Sequence, residues 1–193
     1  MKTLSLLLLL CVLTPLISCQ KSTEKGTALK PDSGNFTQNT YRNDFFGFSY
    51  PLPGEWRQRR NSLFPLPSGA YYLFTGGRTE HSPLNGVTIV ADPESGSRAR
   101  SAQEYLSALI AQTDGEVTRE PSSFGSGGSG FYRGDYRVAD NETTAYISIV
   151  CIKRQNYWLH WSFVAPSQRD LDDAVNTVQH ISFDNLSSRQ QSH

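Results

Sequence analysis

Residues 157–165, YWLHWSFVA, restrict the fold of this chain more than any other stretch. Successive side chains of a strand point to opposite faces. Tyr157, Leu159, Trp161 and Phe163 therefore share one face, and Trp158, His160, Ser162 and Val164 the other. A strand with water along one side shows a polar face. Here both faces are partly apolar, so the sheet must be covered on both sides, at least in part. Two more alternating runs precede it, FYRGDYRV (131–138) and TTAYISIVCI (143–152). Lys153-Arg154-Gln155-Asn156 ties the second run to YWLHWSFVA as a tight hairpin connection.

Further strand patterns stand earlier in the chain. Phe46, Phe48 and Tyr50 alternate with Gly47 and Ser49 and are stopped by Pro51 and Pro53. A short strand follows around Trp56, then AYYLFT (70–75) and GVTIVAD (86–92), separated by the polar loop GGRTEHSPLN. Helices interrupt the strands twice. Ser101 with Glu104 forms a capping box, and Ala102, Tyr105, Leu106, Leu109 and Ile110 give one apolar stripe, ending near Thr113. After Pro166, Ser167 and Asp170 start a second helix in the same way, with Leu171, Ala174, Val175 and Val178 as its inner stripe. Ile181 and Phe183 close the domain as a short last strand. The pattern predicts an α+β fold, an antiparallel sheet flanked by helices in an α/β/α sandwich.

At 193 residues the chain suits one domain. Lys plus Arg equals Asp plus Glu, at 18 each, which removes the charge excess a nucleic-acid binder or acidic tail needs. The expected organisation is a signal peptide at 1–18, a lipidated Cys19 with a flexible tether at 19–40, one domain at 41–184, and a polar tail at 185–193. The tether, polar and without periodic apolar residues, has the reach of a random coil, about 25 Å.

The leader explains Cys19. Lys2 makes the N-terminus positive, and Leu4 to Leu13 is apolar but too short for a membrane-spanning helix, which needs about 20 residues. Leu16-Ile17-Ser18-Cys19 resembles the bacterial lipobox, in which cleavage leaves a diacylglycerol-modified Cys as the mature N-terminus. Two or more acyl chains hold a protein on a membrane, where one binds reversibly. Gln20, in place of the Asp that retains such proteins at the inner membrane, implies the periplasmic face of the outer membrane if the bacterium is Gram-negative. Of three cysteines, leader removal and lipidation then leave only Cys151, on the same face as Ala145, Ile147 and Ile149 and read as a small buried hydrophobe.

No sequence motif assigns catalysis. Residues 125–130 fit G-x-G-x-x-G in composition, but they lead into a strand, where a dinucleotide fingerprint must open a helix. Neither Gly-Ser-Gly unit has the spacing of a nucleophile elbow. Glu80 and His81 form an acid and base pair in a loop, short of the three or four ligands of a zinc site. No catalytic residue, metal ligand or cofactor is assigned. Arg78, Glu80, His81, Trp158 and His160 are the candidate partner or ligand surface, with Tyr146 beside Trp158 as a further aromatic.

The segments NDFFGFSYPLPGEW, GVTIVADP, SAQEYLSALI and NYWLHWSFVAPSQRDLDDAVNTVQHISF, in that order, resemble the PsbP-like family (the Mog/PsbP-type fold), which includes the DcrB-like bacterial lipoproteins. The resemblance spans most of residues 40 to 184. It implies an antiparallel sheet between helices and a role in binding or stabilising partners. Some members bind manganese or calcium, but no acidic cluster here maps onto such a site. The resulting expectation is a membrane-tethered, non-catalytic accessory module for an envelope protein. The alternatives are a small-ligand or metal carrier, or a hydrolase using the Glu80/His81 loop.

Overall fold

The computed structural model describes residues 29–60, 64, 66, 69–78, 84–125, 130–140 and 143–184. Two antiparallel sheets and two helices make up the fold. The larger sheet has seven strands, in spatial order β4 (Arg57–Gln58), β5 (Tyr71–Gly77), β6 (Gly86–Pro93), β10 (Tyr157–Ala165), β9 (Thr144–Arg154), β8 (Phe131–Ala139) and β7 (Glu116–Phe124). The smaller has four, in order β1 (Asn35–Thr37), β2 (Thr40–Asn43), β3 (Phe48–Pro51) and β11 (Ser182–Phe183). Helix α1 spans Ala102–Ile110 and helix α2 Gln168–Asn176, the latter running into a 3-10 turn at Thr177–His180.

Strand β10 lies inside the large sheet, paired with β6 on one side and β9 on the other. Its two faces feed two separate cores. Leu159, Trp161 and Phe163 pack with Phe48 and Tyr50 of the small sheet and with Leu171 and Val175 of α2. Trp158 and Val164 pack with Tyr105, Leu106 and Ile110 of α1. The α/β/α layering thus holds, with a second sheet sharing the α2 layer, where the sequence pattern showed only one sheet.

Local chemistry accounts for the element ends. Ser101 Oγ accepts from the Glu104 N–H at 3.1 Å, but the Glu104 carboxylate turns back to the N–H of Arg100, not of Ser101, at 2.8 Å. At α2, Ser167 Oγ accepts from the Asp170 N–H and donates to its carboxylate. Between β2 and β3, Asn43 Oδ1 accepts from the Phe46 N–H at 3.0 Å and Gly47 adopts φ +62°. Phe46 therefore belongs to this turn, and the strand begins only at Phe48.

Three strands, β1, β2 and β7, were not assigned in the sequence reading. Strand β1 lies within 19–40, the stretch read as tether, so folded chain begins before residue 41. It pairs with β2 through the two-residue turn Gln38-Asn39, both at positive φ, as a primed hairpin turn requires. Strand β7 escaped notice because it is an edge strand, mostly exposed, with Pro121 inside it and register shifts against β8. Gly125 follows the end of β7 and Gly130 directly precedes β8, so the run leads into a strand and not a helix.

Trp161 is fully buried and meets the rings of Phe48 at 5.4 Å and Phe131 at 5.8 Å. Trp161→Ala should lower unfolding free energy by about 3–5 kcal/mol in a urea titration. Val138→Ala, at a side chain 41% exposed, should change it by less than about 0.5 kcal/mol.

Candidate functional site

Helix α1 packs on β7, β8 and β9. It comes close at Gly134, where a Cβ would stand 2.6 Å from Ile110 Cδ1 and 3.1 Å from Pro121 Cγ. A Cβ there would force the Ile110 side chain to shift and press on Pro121 of β7. On the same face, towards β10 and β6, a half-open cavity of about 270 Å³ remains. Val90, Ile149, His160 and Ser162 form its floor. Leu109, Gln112 and Thr113 close it from the helix end, and Phe64, Leu66 and Tyr136 stand around it.

His160 is the chemically distinctive residue. It is 4% exposed, and burial lowers its pKa to about 4, so the imidazole is neutral at ordinary pH. Nδ1 lies 3.3 Å from Ser162 Oγ. Nε2 has no hydrogen-bond partner among the described residues. A buried polar atom left unpaired costs about 1–3 kcal/mol, so it calls for a partner. A nucleophilic Ser–His system needs the second imidazole nitrogen held by a third group. Here that nitrogen is the unpaired one.

Beside the cavity the wall is closed. Tyr105 stacks on Trp158 at 5.3 Å and donates to Asp92 Oδ2 at 3.0 Å. Desolvation raises the pKa of Asp92, partly opposed by that bond. Cys151, fully buried, has its thiol pKa pushed up by burial and, less, by the Asp92 charge.

The five residues read as one surface do not converge. Trp158 and His160 are buried under α1, because their strand face is the one the helix covers. Arg78 lies on the α2 side, paired with Glu55 at 3.1 Å, in a recess that also includes Asp170 and Asp173. Glu80 and His81 fall outside the described residues, as do Leu16, Ile17, Ser18 and Cys19. Tyr146 packs on the α2-side core, away from Trp158. Val90, Tyr136, Ile149 and Ser162 were not singled out in the sequence. The usable signal was parity: His160 shares its face with Trp158 and Val164, which marks it as inward-facing.

Three other places were compared. Under α2, Arg133 bonds Asp135 at 2.8 Å and Asp172 at 2.6 Å, and Arg119 reaches Asp135 at 3.1 Å. Burial opposes the Arg133 charge, but those bonds raise its pKa. This network is satisfied internally and ties β7, β8 and α2 together. A wider recess of about 590 Å³ sits at the β9–β10 turn, against Phe45 and Tyr157, without a buried titratable group in its lining. A charged recess beside α1 holds Asp92 and Arg98. Among the described residues no three or more His, Cys, Asp or Glu side chains cluster as metal ligands, and no helix is long and apolar enough to cross a membrane.

No protein-family model matches the chain, and no curated protein matches it. Among solved structures it is similar to the crystal structure of LpqN, described as involved in cell envelope biogenesis of Mycobacterium tuberculosis. Identity is 18% and the TM-score 0.46, over 70% of this chain and 82% of that one. At that level the likeness supports no statement about this chain. The PsbP-like resemblance likewise adds nothing beyond the α+β architecture already visible.

Two predictions concern this site. The unfolded chain protonates His160 near 6.5, while the folded chain resists until about 4. The unfolded state thus binds more protons in that window, and stability must fall as pH drops through it, by up to about 3 kcal/mol. Asp92, raised by burial above its ordinary 3.8, acts with the opposite sign from that value upward. Melting temperatures of wild type and His160→Leu between about pH 7 and pH 4 should show a shallower acid loss in the variant. Secondly, native Cys151 should resist thiol alkylation until denaturant is added, and Cys151→Ala should cost about 1–2 kcal/mol. Rapid alkylation of the native protein would contradict its burial.

Proposed function

We propose that this chain is a lipid-anchored accessory protein of the cell envelope that binds a small molecule in the α1 cavity and performs no covalent chemistry on it. The observation that carries the binding reading is the half-open α1 cavity of about 270 Å³, mostly apolar among its described lining residues, with His160 and Ser162 in its floor, the Nε2 of His160 being unpaired but itself inaccessible. Ligand sites are concave and mostly apolar, with a few placed polar groups, and this cavity has that composition. The same atom argues against Ser162 as an activated nucleophile, since nothing orients the imidazole.

The anchor rests on Leu16-Ile17-Ser18-Cys19, and the polar residues after it keep the domain within reach of the membrane surface. An envelope protein is the expected partner, and the outer membrane the expected location in a Gram-negative cell.

Cells given labelled palmitate should incorporate label into wild type and none into Cys19→Ala; equal labelling of both sinks the anchor. Protein purified from its native envelope and extracted with solvent should release a small molecule detectable by mass spectrometry. Leu109→Trp, which fills the cavity from the helix side, should release none. Identical extracts from both would remove the binding reading.

A further inference from the structure

We infer that the recess between α1 and the turn after β6 binds a small zwitterion, with its primary ammonium on Asp92 and its anionic group on Arg98. This site lies beside the α1 cavity and does not depend on that cavity being occupied.

The recess, of about 370 Å³, is bounded by α1 and by the residues that follow the 3-10 turn at Glu94–Gly96. Asp92, Ser97, Arg98, Tyr105 and Gln112 give its lining polar groups, beside Ala108 and Leu109. A cavity of about 150 Å³ holds one benzene ring, so this one has room for a molecule the size of phosphoethanolamine.

Asp92 is held in place but not satisfied. Its Oδ2 accepts from the Tyr105 hydroxyl at 3.0 Å, which fixes the carboxylate. Its Oδ1 has no partner among the described residues and stays open to solvent, unlike Nε2 of His160. No cation offsets the charge. Asp92 stands in register with Trp158, and Trp158 with Lys153, but Lys153 bonds to Glu94 and lies over the Trp158 ring. Burial raises the Asp92 pKa and only the Tyr105 bond opposes it, so neither Lys153 nor Arg98 relieves the carboxylate. A carboxylate short of both water and counter-charge gains from a positively charged N–H donor.

Arg98 is the complement. It is exposed on the same recess and makes no side-chain hydrogen bond or ion pair among the described residues. Its guanidinium suits a carboxylate or a phosphate. Opposite charges that line one recess without pairing leave a gap, which a molecule carrying both charges can bridge. An anion alone would also meet Asp92, and a cation alone would also meet Arg98. A metal ion fits poorly, since Asp92 is the one acid in this lining and hard cations take several oxygen ligands. The same chemistry occurs in free zwitterions and in lipid headgroups.

The test uses the full-length lipidated chain in phosphatidylcholine nanodiscs, which offer no primary ammonium, with carbon-13 at the aspartate carboxyl groups. Phosphoethanolamine and γ-aminobutyrate are the zwitterionic probes, and ethanolamine and inorganic phosphate carry one charge each. A zwitterion should bind at least about tenfold more tightly than either single charge and move the Asp92 resonance. Asp92→Asn, which still offers an oxygen to Tyr105, should lose that advantage, and Arg98→Gln should lose it too. If Asp92→Asn does not fold, the wild-type resonance and Arg98→Gln, at an exposed side chain, decide. Phosphatidylethanolamine in the nanodisc should move the same resonance without added probe if the source is a headgroup, and leave it in place if the source is free. Phosphate as tight as the zwitterions overturns the ammonium. Ethanolamine as tight, or an unchanged Arg98→Gln, overturns the anionic half. Absence of binding by all four probes, with no effect of phosphatidylethanolamine, overturns the site and leaves the α1 cavity reading to its own extraction test.

Discussion

Strand β10 must be covered on both faces, and the rest of the structure follows from that burial. Trp158 and Trp161, one on each face, are fully inaccessible. Each large aromatic ring hidden from water supplies several kcal/mol of driving force, and no single layer of secondary structure can cover both. Helix α1 closes one face. Helix α2 and the four-stranded sheet together close the other. The small sheet exists for this purpose: Tyr41, Phe48 and Tyr50 come from strands of four residues, which have no stability as an isolated unit.

The two faces bury different polar groups. On the α2 side, Arg133 and Asp135 are both nearly inaccessible, yet each charge meets an opposite one with good geometry. Removing one partner there would strand a buried charge, which makes the network a structural tie between strand and helix. On the α1 side, His160 is bonded at one nitrogen only. The neutral imidazole makes that tolerable, because desolvation suppresses the charged form. Trp161 Nε1 and Ser148 Oγ, buried on the α2 side, likewise have no hydrogen-bond partner among the described residues.

The sheet edges are guarded against the wrong company. Strand β4 has two residues, and β7 is broken by register shifts, carries Pro121, and presents Glu116, Arg119 and Glu120. Both features discourage pairing with another strand.

The sequence alone determined the local events. Alternation marked β5, β6, β8, β9 and β10, helical spacing with Ser101 and Ser167 marked α1 and α2, and Cys151 was placed inward by parity. These are decided within a few residues, by backbone geometry and capping chemistry. Edge strands were less legible, since β7 is exposed on nearly its whole length and has no apolar period to show. Only the tertiary structure decided which side chains meet. It put His160 and Trp158 under α1 instead of on a surface, separated both from Arg78, and set Val90, Tyr136, Ile149 and Ser162 around one space. The position of α1 over β8, packed closely at Gly134, leaves that space beside β10. Depth in a cavity depends on where a distant element lands, and no local pattern of residues encodes it.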